Sequence, residues 1–187
     1  MQKDDLENFA GGTPPNNWVV DRVRFNANIT SRNMWESYLP TFESCLKEGR
    51  AASVMCSFNS INGARSPFFV KLLRPLPSHW LVLALSTGVP SCANGELMNG
   101  VLRKKWGWDG FIVSDYDGWA NLVTPQSFAP NYTAAAAIGI NAGMDQEGGG
   151  TQAIEKLPDA VKAGLTTAEA VATSFRRLFA ARIRLGM

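Results

Sequence analysis

The residues of this chain that could carry chemistry are carboxylates at the ends of short apolar segments. Asp115 closes the segment Phe111-Ile-Val-Ser, and Asp145 and Glu147 end a second segment before three glycines. Ligands collect at the carboxyl ends of the strands in parallel α/β folds. A pair of carboxylates in such a place can hydrolyse glycosidic bonds, one as nucleophile or base and one as acid. The alternative is that these acids cap turns. Spacing leaves both interpretations open for Asp115 and favours capping for the other two.

Other kinds of catalytic chemistry have little support in the residue types. His79 is the only histidine, which disfavours Ser-His-Asp, Cys-His and multi-histidine metal schemes. The three cysteines, at positions 45, 56 and 92, are too few and too scattered for a zinc site or a disulfide scaffold. At least one of them stays unpaired, and we expect buried free thiols. We therefore expect no metal and no cofactor.

Composition narrows the class of protein further. The 187 residues are 45% hydrophobic and 18% charged, with a net charge of +2, which suits one folded domain rather than a disordered chain. The balanced charge predicts no nucleic-acid partner. No apolar run approaches the roughly 18 residues of a membrane span, so no membrane association is expected. The polar start, Met1-Gln-Lys-Asp-Asp, does not resemble a secretion signal.

Four extended segments, each followed by helix-like sequence, would position the carboxylates. They are Trp18–Thr30, Ala52–Asn59, Phe111–Asp115 and Ile138–Asp145. Short apolar strands separated by helices predict an α/β fold with parallel strands. About four βα units make a partial (β/α)₈ TIM-barrel-like domain, and a small open α/β sheet is the alternative.

The helices carry their own start and stop signals. Ser31 is a candidate N-cap for a helix that runs to Leu46, with Pro40 expected to break or shift its first turn. Asn94 is a candidate cap for the next helix. The last helix begins at a capping box from Thr166 to Glu169 and stops at Gly186.

Several blocks of the sequence together resemble glycoside hydrolase family 3, and its β-xylosidase branch in particular. The blocks are Ala52–Asn59, Gly88–Asn94 and Trp106–Asp117, supported by Val20–Ala27 and Arg182–Met187. The resemblance covers nearly the whole chain apart from one gap, and the Val-Ser-Asp-Tyr block is its most specific part.

The resemblance implies both a fold and a set of site residues. Members of this family have a barrel-like N-terminal domain followed by an α/β sandwich domain, and they release terminal β-linked sugars with retention of configuration. The matching position makes Asp115 the nucleophile, and Met55 and Tyr116 match positions that border the sugar. Phe58 stands where the family usually has a tyrosine that hydrogen-bonds the nucleophile. Arg22 is a looser match to a polar residue of the site.

The resemblance also indicates what this sequence lacks. The family's acid/base carboxylate belongs to the downstream domain, and the earlier strands with their sugar contacts are missing. We therefore expect residues 1–187 to be the second half of the N-terminal domain of a β-xylosidase-like enzyme, with a β-linked oligosaccharide as substrate. The expected reaction is the release of terminal β-D-xylose from xylan oligosaccharides. A β-glucosidase, and an inactive fragment or weak sugar-binding module, remain as alternatives.

Residues 64–87 interrupt the resemblance with an atypical insert. The insert contains no Asp or Glu, holds the only histidine and is rich in proline, leucine and aromatic residues. A solvent loop should be polar, so a translated intron is the preferred hypothesis and a hydrophobic lid is the alternative. Two N-glycosylation sequons, at Asn28 and Asn131, favour a secreted parent enzyme.

Overall fold

Two small sheets organise the part of the chain that this computed structural model describes, which comprises residues 23, 25–62 and 88–187. The strands are β1 (Asn26–Ala27), β2 (Ser53–Cys56), β3 (Ser60–Ile61), β4 (Val89–Pro90), β5 (Phe111–Tyr116) and β6 (Gln146–Gly148). Helix α1 is built from consecutive segments Ser31–Asn33, Met34–Tyr38 and Leu39–Lys47. The others are α2 (Glu96–Lys105), α3 (Tyr132–Ala142), α4 (Leu157–Lys162) and α5 (Ala168–Arg184). Within the described ranges, no helix is long and apolar enough to span a bilayer.

The larger sheet consists of β2, β5 and β6 in that order, and all its strands are parallel. Met55 lies beside Val113 in the register of β2 and β5, and Val113 lies beside Gln146 of β6. This mixed α/β arrangement with parallel strands confirms the predicted fold class, and it forms only part of a barrel. The predicted strand over Trp18–Thr30 is represented by β1 alone, since residues 18–22 and 24 lie outside the described part.

The side chains on the two faces of this sheet differ in how far they are buried. Ile112 is fully buried and lines an apolar cavity of about 160 Å³ together with Leu39 of α1 and Leu102 of α2. On the opposite face, Val113 is half-buried and Met55 is 51% exposed. Side chains alternate between the faces of a strand, so one face packs under helices and the other is open.

The smaller sheet brings together segments that are far apart in sequence. Strand β3 pairs with β1 in parallel and with β4 in antiparallel fashion. This pairing carries the turn after β4 to the end of β2, where Cys56 and Cys92 form a disulfide. Cys45 is a free, exposed thiol. The expectation of buried free thiols was therefore wrong for all three cysteines, because tertiary pairing joins two of them, which their spacing did not indicate, and the third is exposed.

Helix α1 begins one residue earlier than predicted. The Thr30 hydroxyl, rather than Ser31, accepts from the backbone N–H of Asn33 (3.1 Å) and acts as the N-cap. The helix continues through Pro40, which stands at the first positions of its last segment, and the turn before it is a wide π-helical one. Proline has no N–H to donate, and the wider turn accommodates that loss without ending the helix.

The predicted strand over Ile138–Asp145 was wrong, because most of that segment belongs to helix α3. Asn131 caps this helix by accepting from Ala134 N–H (2.9 Å), and Gly143, with φ of 111°, ends it. The helix is alanine-rich and buried on nearly all sides, so its sequence has no alternation of apolar and polar residues that would reveal a helix. The strand that follows it is the shorter β6.

Helix α5 has the predicted extent and a different cap. Thr167 accepts from Ala170 N–H (3.1 Å), while the predicted cap, Thr166, donates its hydroxyl to Asn141 Oδ1 (2.7 Å) and ties α5 to α3. Gly186 has a positive φ of 75° after the helix, as its stop signal predicted.

Candidate active site

Asp115 is the penultimate residue of β5 and lies at the carboxyl edge of the parallel sheet. Its side chain is half-buried, and Oδ1 accepts from the backbone N–H of Tyr116 (2.7 Å). The carbonyl of Asp115 accepts from Gly118 N–H (2.7 Å), which turns the chain sharply after the strand. The carboxylate is therefore oriented by the backbone that follows it, at the edge where parallel α/β folds bind ligands.

Asp117 shapes this turn and fastens it to the neighbouring strand. It has a positive φ of 55°, in the left-handed region that Asp and Asn tolerate better than other side chains. Its N–H donates to Gly148 O (2.7 Å), and its Oδ1 accepts from Gly150 N–H (2.6 Å). We call the turn at residues 115–118 and the glycines at 148–150, which these bonds join, the clasp.

The glycines of the clasp are required by close approach. A Cβ on Gly150 would lie 2.8 Å from Asp117 Oδ1, and one on Gly148 would lie 2.3 Å from the carbonyl oxygen of Ser114. Ser114 also accepts from Gly148 N–H through its hydroxyl (2.8 Å). The triple glycine thus allows the backbone after β6 to reach the turn that carries Asp115.

Met55 and Asp115 are the penultimate residues of the neighbouring strands β2 and β5. Met55 lies beside Val113 in the parallel register, so these two side chains are on the same face. Asp115 follows Val113 by two residues, where the pairing of β5 with β6 is irregular. Tyr116 is 71% exposed, and its ring lies against Gly149, where a Cβ would be 2.9 Å from Cδ2. These residues offer an exposed thioether and a ring near the carboxylate. Their roles in substrate binding stay predictions.

Phe58 lies on the loop after β2 and is tied to the loop after β5. Gln126 donates from Nε2 to Phe58 O (2.7 Å) and to Val23 O (3.1 Å), which links three separate segments. Phe58 has no hydroxyl, so its side chain cannot supply Asp115 with the hydrogen bond that a tyrosine would. Arg22, His79 and the insert at 64–87 lie outside the described residues.

Asp145, which comes directly before β6, forms structural ion pairs. Its side chain is fully buried, and its Oδ2 lies 2.6 Å from Arg103 Nη2 and 2.8 Å from the N–H of Ile112. Arg177 of α5 approaches the other oxygen (3.3 Å). Burial raises the pKa of the Asp145 carboxyl and lowers that of Arg103, although each charge opposes the effect of burial on the other. Asp145 therefore joins β5, α2 and α5 and is not presented to a ligand.

Glu147 caps the turn that follows the clasp. Its carboxylate accepts from the N–H groups of Ile154 (2.8 Å) and Ala153 (3.1 Å), at the start of the short helical turn at residues 154–156. Burial raises the pKa of Glu147, against the opposing effect of these two N–H groups. This is the capping geometry that its sequence context favoured.

The clasp and the Gln126 contacts are the parts of the site that sequence analysis did not identify. Asp117 is followed by glycine, and an Asp-Gly pair after a strand is a turn signal that could have marked it. Gln126 carries no such signal, because its partners are backbone carbonyls of residues 23 and 58, far from it in sequence. Among the described residues, no three His, Cys, Asp or Glu side chains gather in a way that could hold a metal ion.

Comparison with known proteins identifies the family to which this arrangement of strands and acid belongs. Residues 24–181 match the glycosyl hydrolase family 3 N terminal domain. The chain belongs to glycosyl hydrolase family 3. Its β5 and the carboxylate at the end of β5 thus lie in the N-terminal, barrel-forming region of that family.

Sequence relatives of this family 3 chain include plant xylosidases. Probable beta-D-xylosidase 6 of Arabidopsis thaliana is 32% identical over 166 residues, covering 89% of this chain and 18% of that protein. Beta-D-xylosidase 1 of the same plant is 32% identical over 183 residues, covering 98% of the chain and 19% of that protein. The chain thus spans about a fifth of the length of these relatives.

Solved structures of two glycosidase types share the fold. An exo-beta-xylosidase in complex with a xylobiose aziridine probe superimposes with a TM-score of 0.71 and 26% identity, over 89% of this chain and 18% of that one. A beta-glucosidase involved in saponin metabolism from intestinal bacteria gives a TM-score of 0.68 and 28% identity, over 86% of this chain and 18% of that one. The family 3 fold is therefore shared with both xylosidases and glucosidases.

Proposed function

We propose that this chain is the nucleophile-bearing half of the N-terminal domain of a retaining, exo-acting β-xylosidase. The complete enzyme would release terminal β-D-xylose from xylan oligosaccharides, in the course of xylan breakdown. The observation that carries the proposal is the placement of Asp115 at the carboxyl edge of the parallel sheet, half-buried and with its carboxylate oriented by Tyr116 N–H. The xylosidases among the relatives support the choice of sugar.

In the proposed reaction Asp115 attacks the anomeric carbon of the terminal sugar. A C–O bond forms between a carboxylate oxygen and that carbon, while the bond to the departing sugar's oxygen breaks and that oxygen receives a proton. Water then displaces Asp115 with the help of the same acid/base group, which restores the carboxylate. Two inversions at one carbon give net retention.

The hydrogen bond from Tyr116 N–H suits Asp115 to the role of nucleophile. A donor to a carboxylate fixes the direction of its lone pairs. Only one carboxylate oxygen takes part in that bond, so the other is available to the substrate. Because Phe58 has no hydroxyl, the orientation of Asp115 in this enzyme rests on the backbone of the clasp. Met55, Phe58, Tyr116 and Arg22 are the proposed substrate-binding residues.

The acid/base group is proposed to come from the part of the enzyme that this chain does not include. The relatives are about five times as long as the region they share with this chain, which leaves ample sequence for an α/β sandwich domain. One carboxylate can perform only half of a double displacement, so we propose that the 187 residues alone do not turn over substrate.

Substitution of Asp115 in the complete enzyme tests the assignment. Asp115→Asn removes the nucleophile with little change in shape, and we expect kcat on nitrophenyl β-D-xyloside to fall by roughly 10³-fold or more. Asp109→Asn is the matched control, since Asp109 precedes the same strand and its exposed carboxylate pairs with Arg184. Near-normal activity of Asp115→Asn, with Asp109→Asn also active, would remove Asp115 from the mechanism.

Two further outcomes separate the alternatives. Faster hydrolysis of the nitrophenyl glucoside than of the xyloside by the unmodified enzyme would identify a β-glucosidase, which the glucosidase of the same fold makes the second candidate. Stabilisation of the 187-residue chain by xylose, without activity of the complete enzyme on either glycoside, would identify a sugar-binding module.

A further inference from the structure

The two sequons are a feature that glycoside hydrolysis does not use. Asn28-Ile-Thr30 follows β1, and Asn131-Tyr-Thr133 begins α3. Both asparagine side chains are exposed. A sequon becomes a modification site only in a protein that enters the secretory pathway, so the fold must be compatible with that compartment and with a glycan at the asparagine.

At Asn131 the fold uses the amide atom that glycosylation leaves intact. Oδ1 accepts from Ala134 N–H as the N-cap of α3, whereas the sugar is attached to Nδ2. An N-linked amide keeps its carbonyl oxygen as an acceptor, so the cap survives the modification. Asn131 also has an extended backbone, with φ of −162° and ψ of 171°, and it is exposed at the surface.

In the sequon at Asn28, the two residues after the asparagine form hydrogen bonds in the folded chain. The Thr30 hydroxyl is itself the N-cap acceptor of α1, and the N–H and carbonyl of Ile29 are both bound by the side chain of Asn62. Each residue that follows Asn28 in the sequon is therefore used by the folded chain. We expect lower occupancy there than at Asn131.

The disulfide between Cys56 and Cys92 supplies the independent indication of compartment. Stable disulfides form in secreted proteins and in the lumen of the secretory pathway, and they are rare in the cytosol. The bridge therefore indicates an oxidising compartment, and in a eukaryotic cell that compartment is the secretory pathway, in which sequons are modified. This argument does not depend on which sugar the enzyme hydrolyses or on the role of Asp115.

We propose that Asn131 carries an N-linked oligosaccharide. In the transfer, Asn131 Nδ2 forms a bond to the anomeric carbon of an oligosaccharide attached to a lipid diphosphate, and the bond between that carbon and the diphosphate oxygen breaks. The lipid diphosphate leaves with the electron pair, and Nδ2 gives up one proton to a base. The host's secretory machinery supplies the donor and the transferase. The glycan then stands at the N-terminus of α3 without disturbing its cap.

Mass spectrometry of the complete enzyme, secreted from a eukaryotic host, tests the proposal. The peptide that contains Asn131 should carry the glycan, and peptide-N-glycosidase treatment should release it and leave an aspartate at position 131. Thr133→Ala should abolish the modification, while Thr133→Ser, which preserves the sequon, should retain it. Asn131→Asp should abolish it and still fold, because Asp caps helices about as well as Asn.

The outcome that overturns the proposal is equally specific. A secreted enzyme with the Cys56–Cys92 bridge formed and with Asn131 unmodified would refute it. So would a glycan found at Asn28 alone, or a Thr133→Ala variant that keeps the full glycan mass.

Discussion

Asp115 near the carboxyl end of β5 and Asp145 just before the first residue of β6 lie on neighbouring strands of the same sheet, and their surroundings give them different roles. Asp115 is half-buried and bound by one backbone N–H, on a face where neighbouring side chains are exposed. Asp145 is buried between two arginines and the N–H of Ile112. A carboxylate whose oxygens are already occupied by charged partners cannot also meet a substrate. Among these two acids, the difference in partners therefore favours Asp115 as the reactive group.

The clasp predicts a positioning role for Asp117 that rests on the proposed role of Asp115. Asp117→Gly keeps the left-handed backbone and removes the acceptor for Gly150 N–H, whereas Asp117→Asn keeps both. We expect kcat of the complete enzyme to fall by about 10- to 100-fold in Asp117→Gly, with little change in KM, because small misplacement of a nucleophile is costly. Asp117→Asn should stay within a few-fold of the unmodified enzyme.

The comparison between these variants separates positioning from charge. Equal losses in Asp117→Asn and Asp117→Gly would mean that the charge of Asp117 matters, rather than its hydrogen bond to the clasp. Full activity in both variants would mean that the clasp does not orient Asp115.

Helix α3 shows how an element is specified by its fit to neighbouring elements. Trp119 is fully buried against it and donates from Nε1 to Ala135 O (2.7 Å). A Cβ on Gly139 would lie 2.1 Å from that same nitrogen, so the indole occupies the space that any larger residue would need. The small residue at position 139 is thus required by packing, whereas the alanines before it favour a helix by intrinsic propensity.

Two glycine-to-alanine substitutions test this account. Gly139→Ala should lower the free energy of unfolding by about 1–3 kcal/mol, because the buried indole must move. Gly100→Ala in α2 is the control, since its Cβ would meet nothing closer than 4.0 Å. It should leave stability unchanged or raise it by about 0.5–1 kcal/mol through the better helix propensity of alanine. Thermal unfolding of the two variants gives the comparison, and equal Tm values would contradict it.

At the scale of the molecule, Asp145 holds together elements that lie far apart in the sequence. Arg103 of α2 binds Asp145 and also donates to Gly110 O (2.9 Å) and Gly143 O (3.0 Å). Arg177 brings the last helix, α5, to the same carboxylate. The open face of the sheet lies away from this helix-covered side, so the ion pairs brace the structure that carries Asp115 without occupying its site.

Removal of this carboxylate should destabilise the whole fold. Asp145→Ala leaves the largely buried Arg103 without its charge partner, and such a loss typically costs about 3–5 kcal/mol of unfolding free energy. Asp109→Ala breaks an exposed pair with Arg184 and should cost less than about 1 kcal/mol. Urea denaturation of both variants measures the difference. Similar midpoints would show that Asp145 does not hold the fold together.

The sequence by itself determined the features that depend on near neighbours along the chain. Strands β2 and β5 could be predicted because each is a short apolar run bounded by turn-forming residues. The extent of α5 followed from its apolar stripe and its stop at Gly186, and Asp115 could be placed at a strand end because that strand was recognised. The shift of each cap by one residue reflects the choice between adjacent hydroxyls, which the approach of Asn141 decides for Thr166.

Only the tertiary structure decided what depends on contacts between distant segments. It made α3 a helix where a strand was predicted, because burial on all sides removes the polar face that would reveal a helix in the sequence. It joined Cys56 to Cys92, and it gave Asp145 its arginine partners while leaving Asp115 half-buried and bound by a backbone N–H. A local pattern reports backbone preference and the polarity of adjacent residues. Burial and the pairing of charges arise from long-range packing, which the local sequence does not indicate.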